Sequence, residues 1–254
     1  MPPIVLASLL AAACLCIGLI GLWLRPKLAE HHVDNENRGL VGNVTGLVAA
    51  MAALLLGLLV ASAQSTFNTV SDEVDKLAVN LVEMDRALAQ FGPETAEARR
   101  LLKLTATAQA DRIWSASGKP DTDAILSVRG DPDYRRLTML VRNLTPQMDA
   151  QRTLQAELLG LISDGARTRV MLANQLGNEL PRPIIVVVGF WLMMLFLGFG
   201  LLARMNLISV LALVVGAISV GGAIFLLLEL NRPFVGLMAI DGSSVRNAIA
   251  LLGS

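Results

Sequence analysis

The chain has 254 residues, of which 54% are hydrophobic and 17% charged, and its 21 basic residues balance its 21 acidic ones. A neutral chain produces no field that would hold a polyanion, and aromatic residues, at 4%, are too scarce to stack on bases. The composition therefore excludes a nucleic-acid-binding protein and is typical of an integral membrane protein.

Four long runs without any Asp, Glu, Lys, Arg or His predict four membrane spans. The runs are residues 3–24, 44–66, 183–203 and 205–228. At ~1.5 Å per residue, each run is long enough to cross a hydrocarbon core of ~30 Å as a helix. Only a helix satisfies its own backbone hydrogen bonds in lipid, so we predict an all-α integral membrane protein with spans arranged two and two.

The first span contains both cysteines, Cys14 and Cys16. Their spacing of two residues on a helix suits neither a disulfide nor a zinc site. No basic residue precedes the span, which argues against a cleaved signal peptide and against a lipid-modified Cys14. We expect both side chains to pack against a neighbouring helix.

The connector after span one contains the only two histidines, His31 and His32, followed by Asp34 and Glu36. Neighbouring histidines point in different directions on a helix, and no further His exists to complete a ligand set. We therefore expect a solvated connector and no metal site. No motif in the chain indicates a cofactor.

Small residues recur at four-residue spacing in two of the spans. Span two has Ala49, Ala53, Gly57 and Ala61; span four has Ala212 with Gly216 and Ala217 with Gly221. Such stripes let the backbone of another helix approach closely, which is how membrane helices associate without a hydrophobic driving force.

Beyond span two, apolar residues alternate at spacings of three and four, which predicts a heptad seam. The seam residues are Phe67, Val70, Val74, Leu77, Leu81, Met84, Leu88 and Phe91. Span two should therefore continue as a helical stalk and end at Gly92-Pro93. The seam favours packing on helices of its own domain, with docking of a partner or a second copy as the alternative.

Two or more further helices are predicted before span three. One covers about residues 94–117, and another begins near Tyr134 and is broken or kinked at Pro146. The expected inward residues are Leu101, Leu104, Ala108 and Ile113 or Trp114 in the first, and Leu154, Leu158, Leu161 and Leu172 after Pro146.

These elements divide the chain into four predicted parts. Residues 1–66 hold the first helix pair, residues 67–182 an antiparallel helical domain outside the membrane, and residues 183–230 the second pair. Residues 231–254 form a tail with a short final helix, for which Ser243 or Ser244 is the expected N-cap.

Specific residues near the spans carry a family resemblance. The tail after span four reads Leu228-Glu229-Leu230-Asn231-Arg232-Pro233-Phe234-Val235-Gly236, and Arg38-Gly39 leads into span two. Together with Arg167, Arg169 and Leu180-Pro181, they resemble the bestrophin-like family of bacterial four-span membrane proteins. The resemblance covers nearly the whole chain in its two-plus-two layout.

The resemblance implies a signature and a candidate function. Pro233, Phe234 and Gly236 match the family signature, while Glu229 stands where members often have Asp, which keeps the carboxylate. Bestrophins are pentameric anion channels, so their remote kinship implies a homo-oligomer in the lipid bilayer. No pore-lining residue of a bestrophin can be matched in this chain.

Glu229 and Arg232 are the candidate functional residues, because an ionisable group at the edge of a span costs several kcal/mol if unpaired. They would form a ring of charge at a pore mouth, or a gating pair. The structural alternative is an ordinary ion pair at i, i+3 on one helix end, with Arg232 at its negative pole.

Missing features exclude two other classes of function. No span carries a mid-membrane charge, so a proton- or sodium-coupled transporter lacks its relay. Ser209 and Ser219 have no base beside them in span four, so an intramembrane hydrolase is not expected. Two hypotheses remain, an oligomeric ion channel and a non-conducting scaffold or sensor whose helical domain docks a partner.

Charge counts give an orientation in the bacterial inner membrane. Four spans place both termini and the helical domain on one face, with Arg25, Lys27, Arg38 and Arg204 on the other. Arg232 and Arg246 share the face of the domain, so the count predicts a non-cytoplasmic domain and termini. The family resemblance favours the reverse orientation.

Overall fold

The computed structural model describes residues 2–27, 35–114, 132–177 and 182–253. Within these ranges it contains no strand, and the helices are α1 (Pro3–Leu24), α2 (Asn35–Phe91), α3 (Ala96–Ile113), α4 (Pro132–Arg142), α5 (Asp149–Gly177), α6 (Arg182–Leu202), α7 (Leu207–Leu230) and α8 (Ser243–Leu251). Helices α1, α2, α6 and α7 are long and apolar enough to span a membrane. The predicted fold class, all-α with four spans, is confirmed.

The membrane unit consists of Met1–Ser65 and Leu180–Asn231. In it, α1 packs along α6 and α7, and α6 contacts α7. A Cβ added at Gly21 would lie 2.7 Å from the Leu197 carbonyl oxygen and 3.2 Å from the Cα of Gly200. The α1 and α6 backbones therefore touch at a point where only glycine fits.

The small residues of α7 serve the same purpose. Ala217 and Gly221 are buried, and a Cβ added at Gly221 would lie 3.0 Å from the Ala11 Cβ of α1. Cys14 is completely buried in α1, whereas Cys16 is exposed, so the packing expected of both cysteines holds for Cys14 alone.

The second span and the stalk form one continuous helix, α2. It ends at Phe91, because Gly92 takes a φ of +141° and a proline follows. A short 3₁₀ turn, Pro93–Thr95, then leads into α3.

The extramembrane unit consists of Thr66–Glu179 and Arg232–Ser254. Its core contains every residue of the predicted seam, either buried or half-buried. Opposite the seam lie residues of α3, α4, α5 and α8, among them Leu102, Leu137, Leu158 and Val245. The seam thus packs on helices of its own unit.

The predicted inward face of α3 was partly wrong. Leu104 is 57% exposed and Ala108 is also exposed, while the buried residues are Ala98, Leu102, Thr105, Ala106 and Ala110. Alanines occur all around this helix, so its apolar pattern does not single out one face. The helices packed on α3 approach it closely, so the face with the small alanine side chains is the one that is buried.

The break at Pro146 is confirmed, since α4 ends at Arg142 and α5 begins at Asp149. The residue that caps α8 is Gly242 rather than Ser243 or Ser244, and the Ser243 N–H instead donates to Asp241 Oδ1 at 3.0 Å. The His31-His32 run and Leu180-Pro181 fall outside the described residues.

Candidate functional site

Glu229 lies in the last turn of α7 and is only 3% exposed. The helix ends one residue later, at Leu230, where the Asn231 N–H donates back to the carbonyls of Leu227 and Glu229. Burial of a carboxylate to this degree requires polar partners, because an unsatisfied charge is strongly disfavoured. Glu229 is therefore a fixed part of the packing at the end of α7.

Arg232 directly follows the C-cap of α7 and is not part of the helix. It lies two residues beyond Leu230, in an exposed coil. The cause is Pro233, whose ring disfavours the α conformation in the residue before it. Glu229 therefore lies within α7 and Arg232 just outside it, and the expectation that they form a pore-mouth, gating or structural pair stays a prediction.

The signature residues build a compact loop in the extramembrane unit. Phe234 is buried and its ring meets Trp114 edge-on, with the ring centroids 6.0 Å apart. The Ile240 N–H donates to the Pro233 carbonyl at 2.6 Å and closes the loop. Gly236 takes a φ of +115°, which other residues rarely adopt.

Trp114, at the end of α3, fastens this loop. Its indole N–H donates to the Ile240 carbonyl at 3.1 Å, while its ring supports Phe234. The signature therefore acts structurally within this unit, by holding the start of the tail against α3.

Arg169, another residue of the family resemblance, also holds helices together. Its guanidinium lies 5.5 Å from the ring centroid of Tyr134 on α4. The Tyr134 hydroxyl donates to the Ile162 carbonyl of α5 at 2.5 Å, and burial raises the pKa of Tyr134. Arg167 is exposed.

Sequence reasoning missed a buried polar cluster around Asp85. Arg99 donates to both Asp85 carboxylate oxygens, at 2.8 Å each, and the Gly253 N–H donates to Oδ2 at 3.2 Å. Lys103 donates to the Leu252 carbonyl at 2.7 Å, so the cluster holds the C-terminal end against α2 and α3. The sequence feature that could have indicated this cluster is the position of Asp85, an acidic residue directly beside the seam residue Met84.

The membrane part of α2 has one packed face. The buried residues are Thr45, Ala52, Leu59 and Ala63, which share one side at about 100° per residue. This side meets α6, where a Cβ added at Gly198 would lie 2.8 Å from Thr45 Oγ1.

Two further faces of α2 are exposed in the described part of the chain. The small face, Gly46, Ala53 and Gly57, lies about 120° from the packed face, and a Cβ added at either glycine meets no atom within 4 Å. The large face lies about 120° to the other side of the packed face. It consists of Leu47, Met51 and Leu58.

Of the stripe predicted in span two, Ala53, Gly57 and Ala61 are exposed and Ala49 is half-buried. Spans two and four thus differ: in α7, Gly221 is buried against Ala11 of α1, Ala217 is buried and Gly216 meets Phe196 of α6, with Ala212 alone exposed. In α2, Ala53, Gly57 and Ala61 are exposed in the described part of the chain.

No group of three potential metal ligands occurs among the described residues. The histidine pair lies outside them, so the expectation of no metal site there stays a prediction.

Solved structures with the same fold come from bacterial membrane proteins. A bestrophin homologue from Klebsiella pneumoniae, carrying a single substitution, is 15% identical, with 99% of each chain covered and a TM-score of 0.67. A second structure of the homologue from that organism, phased with zinc, is 15% identical over 97% of this chain and 94% of its own, with a TM-score of 0.64. A third, described as a membrane protein, is 12% identical over all of both chains, with a TM-score of 0.68.

No curated protein matches the chain. The family model of the bestrophin-like domain matches residues 12–245, which is nearly the whole chain. The chain belongs to the bestrophin-like family.

Proposed function

We propose that this protein is one subunit of a homo-oligomeric ion channel whose pore is lined by α2. The observation that carries the proposal is the pair of uncovered faces on α2, one small and one large. A membrane helix with a stripe of small residues is suited to close contact with another helix, and no helix of the same chain fills that place among the described residues.

The positions of the two faces suit a ring of subunits. In a ring, each α2 has its own α6 behind it and one neighbouring copy on each side. Leu47, Met51 and Leu58 of one subunit would then pack into the small face of the next. Such a head-to-tail contact uses two different surfaces and closes when the rotation per subunit matches the number of copies.

The side of α2 opposite the packed face would then line the pore. Asn43, Leu54 and Ala61 lie within about 20° of that direction. Leu54 is 76% exposed within the chain, and Asn43 and Ala61 are also exposed. The part of α2 from Gly39 to Ser65 carries no charged residue, so we expect an apolar constriction that gates by dewetting and has weak charge selectivity.

Glu229 and Arg232 have different places in this proposal. Because Glu229 is buried within its own chain, we assign it to gating or to subunit structure rather than to an exposed ring of charge. Arg232 is exposed, so a position at a pore mouth remains our proposal for it. The side of the membrane on which the extramembrane unit lies stays a prediction.

The non-conducting scaffold is a weaker candidate. It relied on the heptad seam as a docking surface, but the seam is occupied by the unit's own helices. A partner would need a different surface.

The test is chemical modification of a cysteine at Ala61 in liposomes. In a background with both native cysteines replaced by alanine, Ala61→Cys should conduct, and a charged methanethiosulfonate should reduce its ion flux several-fold. Val215→Cys is the control, because Val215 is 62% exposed on α7, away from the proposed pore. If Ala61→Cys conducts like the cysteine-free protein and the reagent does not change its flux, Ala61 lies outside the pore. If the folded protein gives no ion flux at all, the channel proposal is refuted.

A further inference from the structure

Three basic residues lie at one end of the membrane unit, where α1 ends and α6 is followed by α7. Lys27 lies in the 3₁₀ turn that follows α1, with its Nζ 3.2 Å from the ring centroid of Trp23. Trp23 itself is 54% exposed at the last turn of α1. A cation held over an exposed tryptophan at the end of a span occupies the depth at which aromatic residues meet lipid headgroups.

Arg25, in the same turn, is held against the α6–α7 hairpin. Its Nη1 donates to the Ala203 carbonyl at 2.5 Å, just beyond the end of α6. The next residue is Arg204, which is exposed. A guanidinium has five N–H donors and this bond uses one, so Arg25 is positioned with further donors beside a second arginine.

Among the described side chains, the charged ones at this end are all basic. Helix α7 begins here, and its N-cap Asn206 accepts the Ser209 N–H at 2.8 Å, so the positive end of the helix dipole lies in the same place. Glu229 is the one carboxylate among the described side chains of the membrane unit. It lies at the far end of α7, roughly 35 Å away at 1.5 Å per residue.

We propose that Arg25, Lys27 and Arg204 bind the phosphate headgroup of an anionic phospholipid. The choice of a lipid follows from charge complementarity together with position: the three basic residues lie where α1 ends and α6 is followed by α7, next to the exposed apolar side chains of Trp23 and Leu24. An anionic headgroup reaches this depth with its acyl chains in the adjoining hydrocarbon, whereas a free phosphate gains nothing from the apolar neighbours.

Trp23 provides a reporter at the site. The chain has three tryptophans, so Trp114→Phe with Trp191→Phe leaves Trp23 as the sole emitter in the full-length protein. The protein is reconstituted in phosphatidylcholine vesicles that contain an equal fraction of either brominated phosphatidylglycerol or brominated phosphatidylcholine. The ratio of quenching by the two lipids cancels any direct effect of a substitution on Trp23 emission.

We expect brominated phosphatidylglycerol to quench Trp23 more strongly than brominated phosphatidylcholine. Lys27→Gln, which leaves the Arg25–Ala203 bond in place, should weaken the preference by about fivefold, and the triple variant R25Q/K27Q/R204Q should abolish it. The matched control R100Q/R112Q/R142Q removes three charges from the extramembrane unit and should keep the preference.

Equal quenching by the two lipids in the unsubstituted site would overturn the proposal. So would a preference that persists in both Lys27→Gln and the triple variant. Excess inorganic phosphate should leave the quenching ratio unchanged, and a ratio that falls with added phosphate would show a site for an aqueous anion instead of a lipid.

Discussion

At the scale of single residues, two buried carboxylates have contrasting surroundings. Asp85 is 6% exposed and accepts hydrogen bonds from Arg99 through both carboxylate oxygens and from the Gly253 N–H. Glu229 is 3% exposed in the last turn of a helix long and apolar enough to span a membrane. The first holds the C-terminal end of the chain in place, and the second is the residue that we connect with gating.

Asp85→Asn should lower the stability of the extramembrane unit by about 2 kcal/mol, because it leaves Arg99 without its buried counter-charge. Arg99 is the main reason why the pKa of Asp85 lies below its ordinary value. The folded state therefore binds this proton less readily than the unfolded chain, and the stabilisation is complete at neutral pH. It disappears as the pH falls below about 4 towards the lowered pKa.

Thermal unfolding of the full chain in detergent, in a Trp23→Phe/Trp191→Phe background that leaves Trp114 as the sole emitter, measures this effect. The difference in Tm between the wild type and Asp85→Asn should be clear at pH 7 and shrink under acid conditions. The control is Arg136→Gln, since the Arg136–Glu97 pair is more than half exposed and should contribute less than ~1 kcal/mol. Equal losses in the two variants would contradict the assigned role of Asp85.

Glu229→Gln keeps the size of the side chain and removes its charge. We expect altered conductance or ion selectivity in liposome flux measurements, together with a loss of roughly 1–3 kcal/mol in stability. The control is Glu157→Gln, because Glu157 is exposed on α5. Lower stability with unchanged flux would make Glu229 a structural residue and remove it from the conduction mechanism.

At the scale of helices, the distance to the neighbouring helix decides which glycines are required for packing. Gly21 and Gly200 lie where α1 and α6 touch backbone to backbone, and Gly221 lies against Ala11. Gly222, its neighbour in α7, has open space at its Cβ position. The sequence lists all four as small residues in spans, but only the packed helices distinguish the first three from the last.

Gly21→Ala should therefore destabilise the membrane unit, by about 1–3 kcal/mol, because the added methyl group would meet the Leu197 carbonyl at 2.7 Å. Gly222→Ala should be neutral or stabilising by up to ~1 kcal/mol, since alanine is the better helix former. The measurement is the Tm of each purified variant in the same detergent. A Gly21→Ala protein as stable as Gly222→Ala would refute the close contact.

At the scale of the whole molecule, the uncovered faces of α2 are the surfaces through which the proposed homo-oligomer would assemble. Met51 belongs to the large face and Ala53 to the small face, and the two differ by only ~3 Å in height along the helix. In a head-to-tail ring, Met51 of one copy would lie near Ala53 of the next. This geometry gives the assembly a direct test.

The double variant Met51→Cys with Ala53→Cys, without the native cysteines, should cross-link under mild oxidation into a ladder of covalent oligomers. Each single variant should give no ladder, because one copy presents only one of the two positions to its neighbour. The number of bands on a denaturing gel gives the number of subunits. A pair on α7, Val215→Cys with Ile218→Cys, is the control, and a ladder from that pair alone would move the subunit interface to α7.

The sequence by itself determined the four spans, the continuous helix from span two into the stalk, its end at Gly92-Pro93 and the break at Pro146. Each follows from local chemistry: uncharged length, the heptad period, or the backbone limits of glycine and proline. The family followed from the tail around Glu229 for the same reason, since a short motif is read without knowledge of distant contacts.

Only the tertiary structure decided which faces are covered. It showed that the alanine-rich side of α3 is inward rather than Leu104, and that Asp85 binds Arg99 and the C-terminal end. It also separated the filled small-residue stripe of α7 from the uncovered one of α2. These are contacts between residues far apart in the chain, and the periodicity of one helix carries no information about which neighbour occupies each of its faces.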